Sequence, residues 1–382
     1  MKISVIGCGR WGSFHAWYAS KIGHSVTLYG RENSANMRQL ETSGGNDYLT
    51  LPKEVKLTKN LSDAINFADL IIISVGSQNL RGLLKEIKSL QNIDLSRKKF
   101  VLAMKGLESG TGKRLSVIFD EEMNFHFVPD DKPLEHSEIT NEKIDSMTAI
   151  SSDKNFQSNE IDGMTSLKGE HENSATIFSA VQKISSNVKV AVWVGPGHVQ
   201  DFINDIPNCM IMASENEDFT REVVEIFKSP LIRFYYGKDL IGVEIGAAAK
   251  NVIGLAAGML DGLNCSSLKG ALMARGTAEL SRLVESLGGE KMTVYGLSHL
   301  GDYQATLFSE HSRNRKFGES FVTNKNFDKL AEGVETTAAL MELAKITGVE
   351  LPICRAVYKI IFEKQDPEYQ LMNLFLRSTK SE

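Results

Sequence analysis

Three glycines within the first twelve residues restrict the fold more than anything else in this 382-residue chain. They stand in Met1-Lys-Ile-Ser-Val-Ile-Gly7-Cys-Gly9-Arg-Trp-Gly12, on the spacing G-x-G-x-x-G. Ile3, Val5 and Ile6 read as a short apolar strand, and Ser13 to Ile22 can continue as a helix. Strand, glycine turn and helix in that order are what a dinucleotide pyrophosphate requires. Gly7 is expected to make the tight turn and Gly9 to let the backbone approach the phosphates. Gly12 is expected to let the helix pack closely on the strand. The helix N-terminus then offers unpaired N–H groups to the anion.

The second strand, His24-Ser-Val-Thr-Leu-Tyr-Gly30, bears on which dinucleotide is bound. NAD-selective folds place an acid on the ribose 2′-hydroxyl about twenty residues beyond the glycines. Here no acid ends the strand and Arg31 follows at once, a residue type that receives a 2′-phosphate. Glu32 beside it argues the other way. The cofactor is read as NADP or NAD, with NADPH favoured.

Strands are expected at 2–6, 24–29, 69–75, 99–104 and 188–194, alternating with helical segments such as 61–67 and 78–90. That alternation is the pattern of a parallel sheet wrapped by helices. From about residue 238 the chain changes to long segments of helical periodicity, among them 268–287 and 326–346, with Pro352 opening a last helix. The fold class is therefore α/β: an N-terminal Rossmann-type doubly wound sheet over 1–237 and a C-terminal all-helical domain over 238–382. Residues 124–187 fit neither pattern. They are rich in Asp, Glu, Ser and Asn, and read as a polar surface insertion.

A net charge of −5 gives no reason to expect nucleic acid or an anionic membrane as partner. Four cysteines (Cys8, Cys209, Cys265 and Cys354) and eight histidines are scattered without metal spacing. No metal is expected, and the thiols suit a reducing cytoplasm.

The one run apolar enough to suggest a membrane span is Ile241 to Leu260, and its glycines and Lys250 argue against that. Glu244 and Lys250 are its only charges, six residues apart and so unable to pair on a helix. A lysine in a helix buried among helices is desolvated, which lowers its pKa towards the range useful for proton transfer. Taken alone, such a lysine also fits a side chain that snorkels to the surface.

Lys105 ends the apolar strand Phe100-Val-Leu-Ala-Met, the edge where open α/β sheets bind ligands. Asp302 follows Gly301 in a turn, and Ser312-Arg313-Asn314-Arg315-Lys316 gathers three cations and two hydrogen-bonding side chains. Such a block is either a solvated basic turn or a clamp for a phosphate.

Together these pieces resemble the NAD(P)-dependent sn-glycerol-3-phosphate dehydrogenases of the soluble bacterial type. The carrying motifs are Gly7-x-Gly9-x-Trp11-Gly12, Ser77-Gln78-x-Leu80-Arg81, Lys105-Gly106, Gly195-Pro196, Lys250-Asn251-Val252, Gly301-Asp302, Ser312-Arg313-Asn314-Arg315 and Glu332-Gly333. The resemblance implies that Lys250 donates and accepts the proton, with Lys105, Asn251 and Asp302 beside it. It implies glycerol phosphate contacts from Lys105, Gly195, Lys250, Asp302, Thr306, Ser312, Arg313 and Asn314. The cofactor would lie along Gly7, Gly9, Arg10, Trp11, Gly12, Arg31, Lys105, Val199, Arg313 and Glu332. The implied reaction interconverts sn-glycerol 3-phosphate and dihydroxyacetone phosphate, supplying glycerol 3-phosphate for phospholipid synthesis. The assembly is left open, a homodimer included.

Two departures stand out. The family usually shows Ser-Gly-Pro-Ser-Phe-Ala where this chain has Val194-Gly-Pro-Gly-His-Val199, so Gly197 replaces a substrate-binding serine. His198, at the aromatic position, either substitutes for that contact or packs, and packing is favoured because the family has an aromatic there. The insertion is the other departure. The alternative reading is another NAD(P)-dependent hydroxy-acid or ketopantoate-like dehydrogenase, which would not need the Arg313–Asn314 clamp.

Overall fold

The computed structural model describes residues 1–124, 188–327 and 331–376. The predicted polar insertion, beyond Asn124, lies outside the described residues. Eight strands form one sheet: β1 (Lys2–Ile6), β2 (Ser25–Tyr29), β3 (Lys56–Thr58), β4 (Leu70–Ile73), β5 (Lys99–Leu102), β6 (Lys189–Val194), β7 (Asn208–Ala213) and β8 (Ile232–Gly237). Their order is β3-β2-β1-β4-β5-β6-β7-β8. Neighbours are parallel except β6 and β7, which pair antiparallel in register Trp193 with Met212. That reversal departs from the purely parallel expectation. The β6–β7 connection carries only the five-residue helix Val199–Ile203, too little to cross the sheet and return.

Helices α1 (Arg10–Lys21), α2 (Ala35–Ser43), α3 (Leu61–Phe67), α4 (Leu80–Lys88), α5 (Leu115–Met123), α6 (Val199–Ile203) and α7 (Glu217–Phe227) clothe the sheet. The central strands are apolar on both faces, as a sheet covered on both sides requires. In β4, Leu70 and Ile72 join the core with Phe14, Tyr18 and Phe227, while Ile71 and Ile73 join Leu84, Phe119 and Phe100 on the other face.

The helical part comprises α8 (Leu240–Gly262), α9 (Lys269–Ser286), α10 (Arg313–Val322), α11 (Glu332–Thr347), α12 (Pro352–Ile361) and α13 (Pro367–Phe375). Asp239 caps α8 by accepting from the Gly242 N–H at 2.9 Å. Helix α8 is long and apolar enough to cross a membrane, yet 94% of its most apolar window is buried inside the fold. Its first turns, through Leu240, Val243 and Ala247, pack against the sheet; Ile245, Val252, Ile253 and Leu260 pack among helices. Glu244 accepts from Arg114 at 2.7 Å and from the Ser116 N–H and hydroxyl at 2.9 and 2.6 Å. These bonds tie α8 to the start of α5.

Close approach of α8 to α10 depends on glycine. A Cβ at Gly258 would stand 1.9 Å from the Arg315 carbonyl oxygen, and one at Gly318 2.1 Å from that of Leu255. The two backbones touch, which brings the start of α10 over the middle of α8.

Candidate active site

The strand order reverses between β1 and β4, and in such sheets ligands bind beyond the carboxyl ends of the strands at that switch point. A cavity of about 530 Å³ opens there. Gly7, at φ +114°, turns the chain out of β1, where a Cβ would lie 2.3 Å from the Ser74 carbonyl oxygen. A Cβ on Gly12 would strike the Gly7 carbonyl at 1.7 Å, so α1 can sit this close to the turn only with glycine there. Gly9 has no protein atom within 4 Å of where its Cβ would be and lines the cavity, so a side chain would occlude the cavity itself. A dinucleotide pyrophosphate fits this cradle.

Arg31 lines the same cavity beside Gly30 and Ser34. Glu32, the acid that argued against a 2′-phosphate, pairs instead with Lys59 at 3.2 Å. Among the described residues, five cations line the cavity (Arg10, Arg31, Lys105, Lys250 and Arg313) against the carboxylates Asp302 and Glu332, an excess suited to phosphorylated ligands.

At the inner end, Lys250 is 6% exposed. Its Nζ donates to Asp302 Oδ2 and, at 3.0 Å, to Thr306 Oγ1. Lys105 Nζ donates to the same Asp302 oxygen at 2.8 Å and to the Gly195 carbonyl at 2.8 Å. Burial lowers the Lys250 pKa to about 7; Asp302 opposes the shift and Lys105 adds to it. Asp302 is 1% exposed, and its Oδ1 has no partner among the described residues. An ammonium poised near neutrality, with two cations sharing one carboxylate, suits proton transfer to an oxygen that becomes negative.

The clamp forms where α10 begins. Ser312 caps that helix by accepting from the Arg315 N–H at 3.3 Å. Asn314 Oδ1 accepts from the Gly333 N–H at 3.0 Å, which orients the amide and leaves its Nδ2 as a donor. Arg313 Nη2 donates to the Tyr48 hydroxyl at 3.2 Å. Ser312, Arg313, Asn314, Thr306 and Asn251 all line the cavity with Lys250.

Two family models match: the N-terminus of the NAD-dependent glycerol-3-phosphate dehydrogenases over residues 2–129 and their C-terminus over 239–372. The glycerol-3-phosphate dehydrogenase [NAD(P)+] of Chlorobium phaeobacteroides (strain BS1) is 32% identical, over 100% of this chain and 99% of its own. That of Clostridium botulinum (strain Alaska E43 / Type E3) is 30% identical over the same shares. The chain belongs to the glycerol-3-phosphate dehydrogenase family. The fold agrees: the solved glycerol-3-phosphate dehydrogenase of Coxiella burnetii superposes with a TM-score of 0.76 at 24% identity, covering 98% of this chain and 99% of that one.

Against the family's expected site, most of the residues meet in one place. Gly7, Gly9, Arg10, Trp11, Arg31, Lys105 and Glu332 line the cavity, the Lys105 ammonium 6.0 Å from the Trp11 ring centre. Burial pushes the Glu332 carboxyl up, against the pull of the surrounding cations. Gly195 contributes through its carbonyl rather than by facing the cavity. The Val199 side chain is 1% exposed and packs into the core at the start of the short helix α6, rather than lining the cavity. His198 lines the cavity, its ring packed edge to face 5.5 Å from that of His311.

Sequence reasoning gave no role to several supporting residues. Arg81 binds Glu108 at 2.7 and 2.8 Å, Glu121 at 2.8 Å and Glu122 at 2.6 Å. Gln78 donates to the Leu107 carbonyl at 2.8 Å and accepts from the Ser109 N–H at 2.9 Å. Together they brace the loop that follows Lys105. Tyr48 joins Arg313 to Arg10, whose guanidinium lies 5.5 Å from the Tyr48 ring centre. Glu108, close behind Lys105–Gly106, and the pair Glu121–Glu122 on α5 were a signal for the Arg81 network; nothing local marks Tyr48.

Proposed function

We propose that the chain interconverts dihydroxyacetone phosphate and sn-glycerol 3-phosphate, with NADP or NAD as hydride carrier. The observation that carries this reading is the buried Lys250 ammonium, bonded to Asp302 and Thr306 within the cavity that the glycine turn opens. When bound, the reduced nicotinamide supplies a hydride to the carbonyl carbon.

Lys250 gives a proton to the carbonyl oxygen as charge builds there; in the reverse direction its amine takes the hydroxyl proton. Asp302 and Thr306 fix the position of Nζ. Lys105, held between Asp302 and the Gly195 carbonyl, helps polarise the carbonyl group and keeps Lys250 easily deprotonated. Asn251 steadies the reacting oxygen. Arg313 and Asn314 grip the phosphate, and binding energy remote from the reacting carbon orients it.

We further take residues 1–237 and 238–382 as the two functional halves, since the turn between β8 and α8 separates cofactor-bearing strands from the clamp. The four cysteines are free, in keeping with a reducing cytoplasm. A homodimer is the assembly to test, by sedimentation at assay concentration. A role in supplying glycerol 3-phosphate for phospholipid synthesis follows if reduction is the working direction.

Following NADPH absorbance with dihydroxyacetone phosphate as substrate tests the reaction. Rapid oxidation is expected with dihydroxyacetone phosphate, and much slower oxidation with unphosphorylated dihydroxyacetone. Faster turnover of ketopantoate or a 2-oxo acid would replace this reading with the alternative.

A further inference from the structure

The loop Gly195-Pro-Gly-His198 and the residues before α10 meet across the cavity at two imidazoles. The His198 and His311 rings stand 5.5 Å apart, edge to face, and both line the cavity. Gly197 has no hydroxyl to offer where the family usually has a serine. Its φ is +129°, and a Cβ would lie 2.7 Å from Cε2 of the Phe202 ring. A serine could not be restored there without moving Phe202. Meanwhile His198 Nε2 is buried with no hydrogen-bond partner among the described residues. A buried polar nitrogen without a partner is costly and calls for one. His311 directly precedes Ser312, Arg313 and Asn314, the residues assigned to the substrate phosphate, and is exposed at the rim.

We propose that His198 and His311 together bind the substrate phosphate beside Arg313 and Asn314, supplying the hydrogen bond that Gly197 cannot make. This inference rests on the glycerol-phosphate reading of the site. The charged and titratable groups around His198 are Asp201, Arg10, His311 and Asp302. Burial lowers its pKa, so at neutral pH the ring is a neutral donor to an anion that already has Arg313 as counter-charge. A hydrogen bond to a charged group is about twice as strong as a neutral one, so its removal should be plain in KM.

The test uses the full chain and the substitutions His198→Phe, His198→Gln and His311→Phe. Phenylalanine keeps a ring against its neighbour while removing the nitrogens; glutamine restores a donor. Each Phe variant should raise KM for dihydroxyacetone phosphate about tenfold, leave KM for NADPH unchanged and spare activity with unphosphorylated dihydroxyacetone. His198→Gln should recover most of the loss. Unaltered KM for dihydroxyacetone phosphate in both Phe variants would overturn the inference while leaving the enzyme's function intact. So would equal losses with the phosphorylated and unphosphorylated ketones, which would mark the pair as structural. A wild-type protein inert towards dihydroxyacetone phosphate would instead bring down the functional reading, and this inference with it.

Discussion

Lys250 shows how one side chain can be legible in kind and illegible in partner. A single cation in an oily helix announces a buried lysine, because the only other charge in that run, Glu244, is six residues away and cannot pair with it. Its carboxylate, Asp302, lies 52 residues on, and no periodic pattern links the two. Because Asp302 raises the Lys250 pKa and Lys105 lowers it, the two neighbours predict opposite pH behaviour. Reduction needs the ammonium, so wild-type kcat should fall as pH climbs through about 7; oxidation needs the amine and should fall as pH drops below it. Asp302→Asn removes the negative charge that holds the proton on, moving both limbs to lower pH. Lys105→Met removes the positive charge that drives it off, moving both to higher pH. Limbs that stay put in both variants would show that another group titrates. Lys250→Met should fold, since Asp302 keeps Lys105, and should lose about 10²–10⁴-fold in kcat with NADPH affinity near the parent value. Near-native turnover would end the proton-transfer role.

Arg31 carries a separate residue-scale expectation. Glu32 pairs with Lys59, and of the two only Arg31 lines the cavity. Arg31→Ala should raise KM for NADPH about tenfold more than KM for NADH. Equal changes in both would mean the arginine does not read the phosphate.

Among elements, the strands and helices with long apolar runs or clear periodicity were readable, β1, β2, β4, β5 and β6 as well as α3 and α4. Strand β3 escaped because it is three residues long and only partly buried, with polar Lys56 and Thr58 at its ends. Strands β7 and β8 escaped for another reason. Asn208-Cys-Met-Ile-Met-Ala213 is rich in flexible methionine, and Ile232-Arg-Phe-Tyr-Tyr-Gly237 is half exposed at the sheet edge. Both are held by strand pairing rather than by pattern, β8 by β7 and β7 by β6 as well. The crossing of α8 and α10 was likewise invisible, since a glycine in a helix looks like a weak point until its neighbour's backbone is seen against it. Gly258→Ala tests that crossing. Its methyl group would push the Arg315 carbonyl, and α10 with it, away from α8, costing about 1–3 kcal/mol. Thermal melting should show a lower Tm, and KM for dihydroxyacetone phosphate should rise because the clamp is displaced. A variant as stable and active as its parent would mean that the helices separate without disturbing the clamp.

At the scale of the whole molecule, the sheet and the helical part share one helix, α8. The helix α5 that follows β5 ends at Met123, and β6 begins at Lys189. The two ends of the stretch meet: the Asn124 side-chain amide donates to the Val188 carbonyl at 3.4 Å. A few Gly and Ser residues are enough to join them, and loop closure grows more costly only slowly with length, so a shorter connection does not cost stability. The cavity is walled by residues that precede and follow the stretch, from Ile6 to Lys105 and from Trp193 to Glu332. Replacing 125–187 with such a linker should therefore leave kcat and both KM values close to the parent and Tm equal or slightly higher. Circular dichroism and the NADPH assay on the same preparation separate the outcomes. A deletion that keeps its helical and sheet signal but loses turnover would assign the stretch a part in the site or between subunits, and the surface-insertion reading would fall.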